Sequence, residues 1–251
     1  MSSNFNDQFS AHAKSYAAAR PDYPAELFSY LKTLCNKHEL AWDCATGNGQ
    51  AAKSLAKIFT QVIATDASIE QIQQAQAAKN IEYRQMSAEE PFLQPGSVDL
   101  ISVAQALHWF DTEAFYKNAD SVLCSGGVLA VWSYGLPTIS NELDRVVMHL
   151  YANILNGYWP AERRIVEEQY ANINFPYALI EGVEFHMTRR WSLQQLTDYL
   201  ASWSAVRRYI DANNSDPMQL VRKELIDAWA MQPEQDVEVR WPMVLKLGKK
   251  S

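Results

Sequence analysis

The chain has little cysteine: three residues in 251, Cys35, Cys44 and Cys124. They form no Cys-x-x-Cys and cannot all pair. That argues against a disulfide framework and points to buried, reduced thiols in a cytoplasmic protein. No histidine among His12, His38, His149 and His186 has a partner spacing that suggests a metal, so none is expected. There is no basic excess either. Lys and Arg number 22 against 29 Asp and Glu, a net charge of −7, which argues against a broad nucleic-acid surface. Long apolar runs are missing. Val128 to Trp132 is among the longest, far short of a membrane span, and the first twenty residues carry no apolar secretion core. Internal repeats and low-complexity tracts are absent.

What remains is an ordinary globular composition, 48% apolar and 20% charged, at a length that suits one generous domain. From residue 25 to 132, strand-like and helix-like stretches alternate, the pattern of an α/β fold. The sharpest stretch is Asp43-Cys44-Ala45-Thr46-Gly47-Asn48-Gly49-Gln50. The apolar run Leu40 to Trp42 reads as a strand. The two glycines make a tight turn, and Ala51, Ala52, Leu55, Ala56 and Phe59 share one side of a following helix. Amides at such a helix start face whatever sits on the turn. A second strand, Gln61 to Thr65, ends in Asp66, about twenty residues past Gly47, where a second-strand acid takes ribose hydroxyls. The unit should therefore bind a nucleoside-containing cofactor. Gly47-x-Gly49-x-x-Ala52 also fits a loose nicotinamide fingerprint, so an NAD-type oxidoreductase is an alternative. Asp43 and Thr46 weigh against it, because an acid before the turn would repel a pyrophosphate and would suit an ammonium.

An acid-x-x-x-Gly-x-Gly first motif resembles that of the class I S-adenosylmethionine-dependent methyltransferases. Two other stretches resemble the type 11 branch, in particular trans-aconitate methyltransferase-like proteins. One is Tyr16-x-x-x-Arg20-Pro21-x-Tyr23-Pro24; the other is the small-residue cluster Ala104-Gln105-Ala106 followed by Leu107-His108-Trp109. The resemblance implies a Rossmann-like fold: a seven-stranded, mostly parallel sheet with helices on both faces and a helical cap. It implies a single methyltransferase domain over 1–251, with an N-terminal lid at 1–24 and a cofactor-binding core at 25–135. Cap inserts would occupy 136–181 and 192–235, and closing strands 182–191 and 236–248.

The implied reaction moves the sulfonium methyl of S-adenosylmethionine to a small-molecule acceptor, a carboxylate or other anionic metabolite, leaving S-adenosylhomocysteine. A non-catalytic protein that binds S-adenosylmethionine is a further alternative. Neither a nucleic acid nor a membrane is expected as partner, and monomer and homodimer stay open. The cofactor-facing residues would be Asp43, Ala45, Thr46, Gly47, Gly49 and Gln50 at the first turn. Asp66, Ala67 and Ser68 would follow the second strand, and Ser87, Ala88 and Glu89 the third. Ala104, Gln105 and Ala106 would follow the fourth, with Tyr16 and Arg20 from the lid. His108 is the candidate catalytic base, since its pKa lies near working pH; otherwise it orients its loop. Trp109, Tyr158, Trp159 and Arg163 are candidates for the acceptor pocket, an arginine among aromatics suiting an anion. Arg163, Arg164, Arg207 and Arg208 could instead pair with Glu162, Glu167 and Glu168 on solvated helix faces.

The remaining chain reads as helices over 140–173, a strand near Glu184–Met187, helices over Leu193–Trp203 and Leu220–Trp229, and a closing strand from Val237. Asp111 and Ser68 are expected helix caps, Gly126-Gly127 a helix end, and Pro242 a sign of an edge strand.

Overall fold

The computed structural model of the chain describes residues 21–181 and 183–251. Tyr16 and Arg20 lie outside the described residues, as does the expected lid up to residue 20. The chain divides into two compact units. One comprises Asp22–Tyr134, Arg164–Phe185 and Met243–Ser251. The other takes Pro21, Gly135–Arg163 and His186–Pro242. Residues 164–181 and 183–185 group with the sheet unit, and Val166 and Tyr170 are buried in its hydrophobic core.

The sheet unit runs α1 (Ala25–Leu34), β1 (Leu40–Cys44), α2 (Gln50–Leu55), β2 (Gln61–Asp66), α3 (Ile69–Gln73), β3 (Ile81–Gln85), β4 (Val98–Ala104), α4 (Thr112–Val122) and β5 (Leu123–Tyr134). Five strands pair in parallel in the order β3-β2-β1-β4-β5. β4 is buried along its whole length but for its last residue, as an apolar run covered on both faces must be. Alternation assigns the two faces. Trp42, Ile101, Val103, Leu129 and Val131 enter one core with Phe115, Ala119 and Val122 of α4. Trp132, one position out of phase with Val131, meets Phe28 of α1 edge-on at 6.2 Å between ring centres. The caps fall where the sequence places them: Asp111 accepts from the Ala114 amide and Ser68 from the Gln71 amide. Gly126-Gly127 does not end α4. That helix stops at Val122, and the glycines lie inside β5. There Gly126 takes φ +76°, and a Cβ on Gly127 would sit 2.8 Å from the Cys124 carbonyl.

The other unit contains α5 (Asn141–Met148), a π-helical turn (His149–Ile154), β6 (His186–Trp191), α7 (Leu193–Ala201), α8 (Ser204–Asn213) and α9 (Met218–Ala230). The short helix α6 (Arg163–Glu167) begins at the boundary between the units. α8 lies between the two helical stretches read from sequence. The last strand, β7 (Val237–Lys249), completes a seven-stranded sheet of order β3-β2-β1-β4-β5-β7-β6. Met243–Lys249 runs antiparallel to β5, and Val237–Pro242 runs antiparallel to β6. Pro242 thus marks no edge. It sits where one ladder hands over to the other, opposite His186, and its missing N–H falls at that junction.

Candidate active site

The strand order reverses direction between β1 and β4, and open α/β sheets bind ligands beyond the carboxyl ends of strands at such a switch point. Both strands end there in a residue that L side chains rarely tolerate. Ala45 has φ +54° and Gln105 has φ +57°. Left-handed backbone at a non-glycine costs roughly 1–2 kcal/mol per residue and persists only where the surroundings enforce it. Gln105 is held by its amide on the Trp132 carbonyl at 2.9 Å and its side chain on the Tyr134 carbonyl at 2.9 Å.

Two carboxylates organise the turn. Asp43 is fully buried. Its Oδ2 accepts from Thr46 Oγ1 at 2.5 Å and its Oδ1 from Ser102 Oγ at 2.6 Å, tying β1 to its own turn and to β4. Burial pushes its carboxyl up to about 6, with the two hydroxyls opposing that rise. Both of its oxygens thus have partners inside the protein. Ser102 was missed, although a serine within the apolar run Val98–Ala104 is a visible signal. Asp66 accepts from the Gly47 amide at 2.8 Å and the Ser68 amide at 2.9 Å, linking the turns after β1 and β2. Burial raises its carboxyl as well.

The glycines have different reasons. Gly47 needs its freedom for φ +58°; a Cβ there would make only an ordinary contact, 3.9 Å from the Gln71 side-chain oxygen. Gly49, at φ +83°, is required by Tyr83 of β3: an added Cβ would lie 2.3 Å from the phenol oxygen. Gln50 reaches Asp22 at 3.2 Å, and Ala67 lends its carbonyl to Gln85. After β3, Ser87 bonds Glu89, whose other oxygen accepts from the Asp111 amide. Ala88 packs into the core and gives its carbonyl to Asn118. Ala104 is partly buried and Ala106 buried at the end of β4. The Cys44 thiol, buried beside this turn, is held well above its ordinary pKa by burial.

His108 and Trp109 follow on a single 3-10 turn. His108 Nδ1 lies 3.1 Å from Tyr170 Oη, and the rings stack at 6.2 Å. Trp109 is 44% exposed.

In the helical unit, Trp159 and Arg163 come together around Tyr151, which sequence reasoning missed. Arg163 Nε donates to Tyr151 Oη at 3.0 Å, and its guanidinium lies 5.5 Å from the Tyr151 ring centre and 5.3 Å from that of Trp159. Trp159 Nε1 donates to the Tyr151 carbonyl at 3.0 Å. No carboxylate pairs with Arg163 among the described residues. Arg164 and Arg207, by contrast, pair with Glu168 and Asp211 one helical turn away. Tyr158 turns elsewhere, to Tyr209 and Asn213 of α8. Among the described residues, no cluster of three or more His, Cys, Asp or Glu is placed to hold a metal. No helix among them is long and apolar enough to cross a membrane.

A glycine turn at the switch point of this seven-stranded sheet, held by a second-strand acid, is the arrangement of a class I methyltransferase fold. The model of the methyltransferase domain matches residues 42–131. A Dictyostelium discoideum protein assigned as a methyltransferase is 36% identical over 98% of this chain and 96% of its own. A solved structure from Anaeromyxobacter dehalogenans, assigned as a type II methyltransferase, is 36% identical. It covers 92% of this chain and 97% of its own at a TM-score of 0.85. A Saccharomyces cerevisiae protein described as an S-adenosylmethionine-dependent methyltransferase is 24% identical over 83% of each chain. The chain belongs to the class I S-adenosylmethionine-dependent methyltransferases. The nicotinamide alternative falls with that.

Proposed function

We propose that the protein transfers the cofactor's methyl to a small anionic acceptor, its charge held by Arg163. The observation that carries the acceptor class is the Arg163 guanidinium, cradled by two aromatic rings and paired with no described carboxylate. A cation over ring faces is stabilised there, and its planar fork keeps its remaining donors for a carboxylate.

The turns after the first four strands suit the cofactor chemically. Residues 43–50, 66–68, 87–89 and 104–106 hold three carboxylates, Asp43, Asp66 and Glu89, and no basic side chain. That field favours a cation and repels a diphosphate. When bound, S-adenosylmethionine supplies an electrophilic sulfonium methyl. Asp66 uses one acceptor position of each oxygen on backbone amides, which leaves positions for ribose hydroxyls. Gly47 lets the ligand approach the backbone, Gln105 and Ala104 border the reacting end, and Asp43 keeps the turn in shape. The chain's main task is to hold the two reactants in line and exclude water, an effect worth roughly 7–11 kcal/mol. An acceptor that is already a carboxylate needs no base; a protic one would call on His108.

The test is to incubate the protein with methyl-labelled S-adenosylmethionine and separate pools of carboxylates, alcohols and amines. Label should enter the carboxylate pool. Arg163→Ala should raise the acceptor KM about tenfold while S-adenosylhomocysteine affinity holds. Label confined to neutral or cationic acceptors, or an unchanged KM, would refute the reading.

A further inference from the structure

β3 lies at the edge of the sheet, and among the described residues it pairs only with β2. The turn after it, residues 87–90, therefore has no strand beside it on one flank, and α4 braces it instead. At the start of α4 the Asp111 amide donates to Glu89 Oε1 at 3.1 Å. Two helical turns further on, Asn118 Nδ2 donates to the Ala88 carbonyl and to the Glu90 carbonyl, both at 3.0 Å. These are the carbonyls on either side of Glu89. Both are acceptors, so the carboxamide must present its nitrogen to them, and both of its N–H groups are used. Its Oδ1 is buried with no partner among the described residues. An unpaired buried acceptor opposes folding, so an apolar side chain would serve this buried position better if packing were its only task.

We infer that Asn118 is a positioning residue for recognition of the cofactor's base: by holding the carbonyls that flank Glu89, it fixes the Glu89 carboxylate where the exocyclic amine of the base binds. This rests on the cofactor placement proposed above. In a nucleoside the ribose diol lies between the carbon that carries the base and the carbon that leads to sulfur. With the diol on Asp66 after β2 and the reacting end at Ala104 and Gln105 after β4, the base is directed away from β4. It then falls toward β3, the strand on the other side of β2. There Glu89 has one oxygen on Ser87 Oγ and the other on the Asp111 amide, and each oxygen keeps an acceptor position. A carboxylate accepts from the amine of a 6-amino purine and repels the oxygen of a 6-oxo purine. Asn118 acts on the base only through this turn, so its influence belongs to base selectivity.

The experiment measures binding of S-adenosylhomocysteine and of S-inosylhomocysteine, its 6-oxo counterpart, by calorimetry on the full chain. The wild type should prefer the 6-amino ligand by at least about tenfold. Asn118→Leu removes both donors at similar volume. Its Kd for S-adenosylhomocysteine should rise about tenfold, while that for S-inosylhomocysteine changes by less than about twofold, so the preference shrinks. Should Asn118→Leu fail to fold in thermal unfolding, Asn118→Asp keeps the shape without an N–H and gives the same readout. Equal loss for both ligands would mean general damage and overturns the inference. A preference that survives intact in the variant overturns the role of Asn118 alone. No preference in the wild type overturns it through the cofactor placement, by removing the base from this turn, so the two failures are distinguishable.

Discussion

The turn after β1 and the cradle around Arg163 solve opposite problems by opposite means. At the turn, carboxylates hold backbone amides within stretches, residues 43–50 and 66–68, that contain no arginine. At the cradle, aromatic rings hold a cation without an acid. The turn is built from backbone and suits the cofactor. The cradle is built from side chains and can vary without disturbing the sheet. If that division is right, damage to the turn should appear in stability and cofactor affinity, and damage to the cradle in acceptor KM alone.

The largest expected effect comes from Asp43. Its folded pKa, about 6, lies above its ordinary value near 3.8. Between these values the folded state binds more protons than the unfolded one, so stability falls as pH rises, and levels off above about 6. The stability of Asp43→Asn relative to wild type should therefore grow by on the order of 2–3 kcal/mol from pH 4 to pH 6. Urea unfolding across that range reads it, and parallel curves for the two proteins would break the account of the buried acid. Next comes Gly49→Ala, expected to cost about 2 kcal/mol through its positive φ and the Tyr83 hydroxyl. Adding Tyr83→Phe should return part of that in thermal unfolding, and no recovery would clear Tyr83. Asp66→Ala should weaken S-adenosylhomocysteine binding about tenfold by calorimetry, or about 1.4 kcal/mol; affinity within a factor of about two would remove Asp66 from the site. The smallest effect belongs to Arg164→Ala. Its exposed pair with Glu168 should be worth no more than about 0.5 kcal/mol, with acceptor KM unmoved. A KM change there as large as that of Arg163→Ala would erase the contrast between cradled and solvated arginines.

The same contrast explains what was legible. Asp43, Gly47, Gly49 and Asp66 lie within one βαβ unit, so their spacing alone places them. The β4 run, both caps and the seven strands follow from local periodicity and from resemblance. The cradle does not. Tyr151 sits in a π-helical turn continuing α5, a register that helical periodicity does not anticipate, and it meets Arg163 only through the fold. Tyr170 is hidden for a like reason: nothing near it in sequence shows that the chain turns left-handed twice. The charge of Asp43 and its partner Thr46 lie in one short stretch, whereas its other hydroxyl partner, Ser102, depends on β4 lying alongside.

Cys44 sits in β1 beside a turn assigned to a molecule that alkylates soft nucleophiles. Its side chain is fully covered in the hydrophobic core, and burial holds the thiol well above its ordinary pKa. A sulfur kept neutral and covered in this way is no nucleophile for an alkylating ligand at the turn.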